Sequence, residues 1–350
     1  MQHRTTAISQ MRSSTVWLLS GLLLCLALSG CTRPQQIIVG TPAPNAQIET
    51  IYVVDHQVLS RSGGTGLPDR RDAPSYAIAK VAVPPGHTAG RVEYPHDPTR
   101  GFVMADYQQQ ERTAHLRAIA DAPGDEIVIF IHGFNTTTPE SIFRLAQMRY
   151  DFGATDPMIV FAWASAARAG AYIYDRDSVL YARDDLVALL DLLIRNDTRP
   201  VTLVAHSMGA QLVMESLRQL ALAGEQRTLD RVSGLIFIAP DIDPDIFRRQ
   251  AQVIGDRDEP YVLLVSESDK ALRVASWLIG GRSKVGLVSG TDKLSGLNVV
   301  VLDLTTLADG SKRDHLVAVS APAAIQLLRA LIQPGARDNP EFSAFLRQLE

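Results

Sequence analysis

The sequence predicts an α/β domain: a mostly parallel central sheet with helices on both faces. Three observations carry that prediction. First, short apolar runs recur at 127–131, 158–162, 201–205, 235–239, 261–266 and 299–302. Near-continuous apolar runs of this length are what strands buried on both faces require. Second, helical patterns separate most of them. Leu186, Leu189, Leu190, Leu193 and Ile194 share one face between the second and third runs, and 211–223 ends at Gly224, a residue suited to a helix C-cap. Third, 46% apolar and 21% charged residues describe a globular chain with ample core. Strand alternating with helix in this way makes a parallel sheet with crossover helices.

The elements can be taken in order. His3, Arg4 and Arg12 lie in an acid-free segment, residues 16–28 are almost wholly apolar, and small residues lead to Cys31. That is the order of a secretory signal, and the run is short for a spanning helix. Leu28-Ser29-Gly30-Cys31 resembles a bacterial lipobox, which implies cleavage before Cys31 and lipidation of its thiol. A plain signal peptide or an uncleaved anchor helix is the alternative. Stable anchoring implies more than one acyl chain on Cys31. Thr32, rather than Asp, follows it, and by the sorting rule of Gram-negative lipoproteins this points to the outer membrane, facing the periplasm.

The only other cysteine, Cys25, leaves with the signal, so thiol catalysis and thiolate metal sites are excluded. Net charge is −4 with no run of Lys and Arg, so nucleic acid is not an expected partner. Residues 32–47, rich in Pro, Gly, Gln and Ala, read as a tether lifting the domain off the membrane. Residues 48–54 and 76–83 read as strands, the second stopped by Pro84-Pro85-Gly86. The expected organisation is a signal at 1–30, a tether at 31–47, an N-terminal β-containing extension at 48–115, a catalytic domain at 116–335 closed by a helix at 321–332, and a tail at 336–350.

The most informative stretch is Ala205-His206-Ser207-Met208-Gly209, where an apolar strand runs straight into a helix. A Ser on such a turn stands above the sheet edge, and small residues two before and two after it let neighbouring backbone pass close. The first small position more often holds Gly; Ala205 still lacks bulk. A plain helix N-cap is the alternative reading of Ser207. A serine nucleophile needs a base, and on a fold of this type the order is Ser, acid, His. His315 is the only histidine after Ser207. The acid is Asp269, just beyond the run 261–266, or Asp241, just beyond 235–239; Asp243 before Pro244 reads as an N-cap. His132-Gly133-Phe134-Asn135 ends the run 127–131, so the backbone N–H groups of Phe134 and Met208 are candidates for an oxyanion hole. His132 has no second ligand at metal spacing, and neither metal nor cofactor is expected.

With these pieces assembled, the chain resembles a group of bacterial α/β-hydrolases known as domain of unknown function 900. The shared pieces are Pro84-Pro85-Gly86-His87 with Gly90, the His-Gly-Phe-Asn at 132–135, Trp163, the Ala-His-Ser-Met-Gly at 205–209, the Ala-Pro-Asp-Ile-Asp at 239–243, Ser268-Asp269-Lys270-Ala271-Leu272, and His315. Where that group reads Trp-Pro-Ser, this chain has Trp163-Ala164-Ser165. The resemblance implies the α/β-hydrolase fold and supports Asp269 as the acid; it implies no substrate. The expectation is therefore an envelope serine hydrolase acting on small-molecule or lipid esters. A thioesterase or amidase with the same triad is one alternative. A non-catalytic lipoprotein using the scaffold for binding is another.

Overall fold

The computed structural model describes residues 33–57, 67–94, 100–269, 271–273, 283–287, 293–307 and 320. The signal, Cys31, His315 and the expected closing helix at 321–332 lie outside the described residues.

Among the described residues a nine-stranded sheet runs in the order β3-β2-β1-β5-β4-β6-β7-β8-β9. The strands are β1 (Gln47–Gln57), β2 (Arg70–Val83), β3 (Val103–Gln110), β4 (Ile127–Ile131), β5 (Met158–Ala162), β6 (Val201–His206), β7 (Val232–Ile238), β8 (Tyr261–Val265) and β9 (Val299–Asp303). From β1 to β9 every neighbouring pair is parallel, and β2 and β3 add antiparallel strands at one edge. All six runs read as strands from the sequence are strands here. β3 was missed because its second half, Gln108-Gln109-Gln110, carries no apolar residue; an edge strand needs an apolar face on one side at most.

Helices α1 (Arg112–Ala120), α2 (Thr138–Phe152), α3 (Tyr172–Asn196), α4 (Met208–Ala223), α5 (Gln226–Arg231) and α6 (Pro244–Ile254) connect the strands. Alternation within each strand sorts the core into two layers. Ile127, Ile129 and Ile131 pack with α1, α3, α4 and α6, whereas Val128 and Phe130 face α2. Several helix ends are fixed by residues of their own. Thr137 and Glu140 form a capping box at the start of α2, Asp243 caps α6 with Pro244 as its first residue, and left-handed Gly224 closes α4.

The N-terminal part differs from expectation in two ways. Residues 48–115, read as an extension packed on the catalytic domain, supply β1–β3 of the same sheet, and β1 pairs with β5 from Tyr52 opposite Ile159 to Asp55 opposite Ala162. The expected tether is folded back along the domain: Pro34 accepts a hydrogen bond from Thr137 Oγ1 (2.7 Å), and Gly40 donates to Met104 (2.9 Å). Ile37 packs against the core layer that contains α2, and Val39 bridges to Met104 through its backbone, contacts that a free linker lacks.

Candidate active site at the strand-to-helix turn

Strand β6 and helix α4 are joined by one residue, Ser207, with φ 52° and ψ −119°. No L side chain favours this conformation, and holding it costs on the order of 1–3 kcal/mol. The turn is held from both sides. Ser207 N–H donates to Ile238 at the end of β7 (2.9 Å), and its carbonyl accepts from Asp241 N–H (3.1 Å). Two glycines admit the surrounding backbone. A Cβ on Gly209 would lie 2.5 Å from the carbonyl oxygen of His132 and 2.6 Å from that of Ile131. A Cβ on Gly133 would lie 2.9 Å from Ser207 Cβ and 2.7 Å from His206 Nδ1. The loop after β4 is thus pressed directly against the serine turn. Ala205 is fully buried, consistent with a small residue two before the serine.

The loop that follows Gly133 is fixed by buried side chains. Asp175, fully buried in the first turn of α3, accepts from Asn135 N–H (3.0 Å), Ala166 N–H (2.6 Å) and Ser165 Oγ (2.7 Å). Burial pushes its carboxyl pKa up, against the lowering effect of those bonds. Gln57, the last residue of β1, donates to Thr136 (3.0 Å) and accepts from Thr138 N–H (3.0 Å). His132 stacks on Trp163 with ring centroids 4.7 Å apart, and its ring nitrogens lie 2.9 and 3.2 Å from the carbonyl oxygens of Gly133 and Trp163. Burial pulls its pKa down to about 4, so it is a neutral packing group at ordinary pH. No cluster of metal-ligating side chains occurs among the described residues.

The two candidate acids have different surroundings. Both oxygens of Asp241 are engaged: Oδ1 lies 2.6 Å from Lys284 Nζ, a nearly buried cation, and Oδ2 accepts from Tyr172 OH (2.9 Å). The Tyr172 ring packs edge-on against Phe134, 5.4 Å between centroids. Asp269 is fully buried beyond the end of β8, two strands along from β6 on the same edge, where its Oδ1 accepts from Leu272 N–H (3.0 Å). Ser207, Met208, the Phe134 loop and Asp241 therefore meet at one point of the sheet edge. His315 lies outside the described residues.

Sequence reasoning missed Asp175, Gln57, Tyr172, Lys284 and Arg33. None belongs to a motif, and each acts by reaching a loop distant in sequence. No local signal marked Asp175, which sits beside Arg176 and Asp177 at the start of α3 like any surface charge.

A model of the family described as alpha/beta hydrolase of unknown function (DUF900) matches residues 108–332. Solved structures with some similarity to this chain include brefeldin A esterase, a bacterial homologue of human hormone sensitive lipase (15% identity, 87% of this chain and 81% of that one, TM-score 0.40). Others are a hyperthermophilic esterase from the archaeon Pyrobaculum calidifontis (11%, 84% and 86%, 0.39) and a predicted CIB-like hydrolase from Thermoplasma acidophilum (13%, 73% and 93%, 0.34). No curated protein matches the chain.

Proposed function

We propose, from the premise that the chain belongs to the family of alpha/beta hydrolases of unknown function (DUF900), that it is a serine hydrolase cleaving carboxylic esters through an acyl-Ser207 intermediate. The observation that carries the reading is the strained Ser207 turn between β6 and α4, pressed against Gly133. Strain of this kind persists only where the surroundings enforce it, and it presents a hydroxyl at the mouth of the sheet.

In the proposed reaction Ser207 Oγ attacks the ester carbonyl carbon while His315 takes its proton. The oxyanion is stabilised by the N–H groups of Met208, at the start of α4, and Phe134. Collapse expels the alcohol, which receives the proton from His315. Water, deprotonated by the same imidazole, then attacks the acyl carbon. The second tetrahedral intermediate collapses, breaking the bond to Ser207 Oγ, which takes the proton back from His315 as the carboxylic acid leaves. Asp269 is the acid that holds His315 in its productive tautomer. The engagement of Asp241 by Lys284 and Tyr172 supports this choice, since its carboxylate is already compensated. No cofactor takes part in the scheme. The lipobox-like Leu28-Ser29-Gly30-Cys31 supports attachment to the envelope through Cys31.

A fluorophosphonate probe and nitrophenyl esters of increasing chain length test the proposal. Ser207→Ala and His315→Ala are expected to abolish labelling and turnover. Asp269→Asn should lower kcat by about 10⁴-fold, the order seen when a triad acid is amidated, and Asp241→Asn by much less. A well-folded wild-type chain that neither labels nor turns over any ester would falsify the enzyme reading.

A further inference from the structure

Arg33 takes no part in the proposed bond making and breaking, yet it makes an extensive contact set. Its guanidinium reaches three separate pieces of the catalytic edge. Nη1 donates to Asn135 Oδ1 (2.8 Å) and to the carbonyl of Ala167 (3.3 Å), Nε donates to Glu140 Oε1 (2.7 Å), and Nη2 bonds both Glu140 Oε2 and the Asn135 carbonyl. Asn135 and Ala167 both adopt left-handed backbone, at φ 56° and 51°, so Arg33 braces two left-handed turns, one of them in the loop pressed against the serine. Glu140 is also the capping-box residue of α2, which ties the brace to a helix end. From Arg33 the segment runs down the domain to the Gly40–Met104 bond, over a cleft of about 450 Å³ lined by Ile37, Tyr94, Phe102 and Phe143. It is strapped at both ends, and the upper strap is at the active site.

We infer that Arg33 fixes the N-terminal attachment point at the catalytic mouth, so that the active site faces the membrane and takes acyl esters presented by the bilayer. The inference rests on the proposed lipidation of Cys31 and the proposed role of Ser207. Cys31 precedes Arg33 by two residues, and two residues span about 7 Å at most. A domain of roughly 300 residues has a radius of gyration on the order of 19 Å. The anchor therefore cannot swing to the opposite edge while Arg33 stays docked. The same edge carries two large apolar side chains in solvent, Leu67 at 53% exposure and Ile173 at 57%. Leu67 precedes the start of β2 opposite Gln57, and Ile173 lies in the first turn of α3. In the proposed orientation both would meet lipid.

The test uses the full chain reconstituted in phosphatidylethanolamine–phosphatidylglycerol vesicles carrying a fluorogenic diacyl ester. A water-soluble nitrophenyl acetate assay runs in parallel. A flexible Gly/Ser spacer of about 20 residues, spanning about 25 Å on average, is inserted between Thr32 and Arg33. It leaves the Arg33 brace and the serine turn intact but frees the domain to tumble. Bilayer-ester turnover should fall about 10-fold through lost effective concentration, with nitrophenyl acetate turnover within about twofold of wild type. Arg33→Ala, with the native linker length, should lower the bilayer rate and, by loosening the Asn135 turn, the soluble rate as well. A spacer variant whose bilayer turnover matches wild type, on a chain that is lipidated and labelled by fluorophosphonate, overturns the orientation alone. Mass of the N-terminal peptide without an acyl group, or loss of labelling in the wild type, overturns the underlying function and this inference with it.

Discussion

The two sides of the candidate site are built by different physics. On the β6 side, the serine turn is shaped by backbone: a positive φ at Ser207, and two glycines that let the β4 loop pass within contact distance. On the β1–β5 side, the loops carrying Asn135 and Ala167 are held by buried or half-buried polar side chains: Asp175, Gln57 and Arg33. The first kind of construction tolerates almost no added volume. The second tolerates volume but not the loss of a donor or acceptor, because a buried group left unpaired keeps its full desolvation cost.

The largest effect should follow from Gly209→Ala. One methyl group would stand 2.5 Å from a main-chain oxygen that has no flexible side chain to move aside. Overpacking of this severity costs about 3 kcal/mol, which lowers the thermal midpoint by roughly 10 °C. Near-complete loss of the proposed ester turnover should accompany it. A variant of wild-type stability would break the comparison, since the steric side would then be as forgiving as the polar one.

A smaller and different response is expected for Asp175→Asn. The volume is unchanged, but an acceptor-only carboxylate facing three donors becomes a group with donors of its own. Stability should fall by about 2 kcal/mol. Because Asn135 adjoins Phe134, kcat should fall by roughly 10-fold with KM little changed, the pattern of an interaction used in the transition state. Equal kcat per folded molecule would make Asp175 a purely structural residue. Denaturation and steady-state kinetics on one preparation separate the two.

The smallest effect is in pH dependence, and it distinguishes the catalytic edge from the far end of α2. Burial holds His132, and also His115, down to about 4. As pH falls from the ordinary histidine value of about 6.5, the unfolded chain takes up protons that the folded chain refuses. Stability is therefore lost across the window from about 6.5 to about 4. His87 has the opposite sign. Burial disfavours its charge, but hydrogen bonds to Asp151 (2.9 Å) and Glu93 (3.0 Å) and their negative charges outweigh that and raise its pKa. Its contribution is complete below the ordinary value and is lost as pH rises through the raised one. Urea midpoints measured across pH should show His87→Gln losing the alkaline-side decline while keeping the acid-side one. An unchanged profile would remove His87 as a charged partner of the two acids.

How much of this could be read in the sequence follows the same division. The Ser207 turn was legible because its physics is local: an apolar strand, small residues at fixed offsets, and an immediate helix all lie within ten consecutive positions. Asp243 with Pro244 and the Gly224 cap were legible for the same reason. The polar side was not. Gln57 reaches Thr138 across 81 positions, and Arg33 reaches Asn135 across 102. No periodicity or spacing rule covers such distances. The 32–47 segment misled because its Pro, Gly and Gln content describes a linker, and its few apolar residues find partners only once β3 and α2 exist.

The sequence by itself therefore determined the sheet of buried strands, the crossover helices, the serine at its strained turn and the small residues around it. All of these follow from hydrophobic periodicity and from conformational limits that act over a few residues. The tertiary structure decided the rest: that β1–β3 complete the sheet, that Asp241 is matched by Lys284 and Tyr172, and that Arg33 straps the N-terminal segment to the loop carrying Asn135. The reason is physical. Charge pairing and hydrogen bonding between distant segments depend on where folding brings the chain together, and that meeting is set by the whole core rather than by any stretch of it.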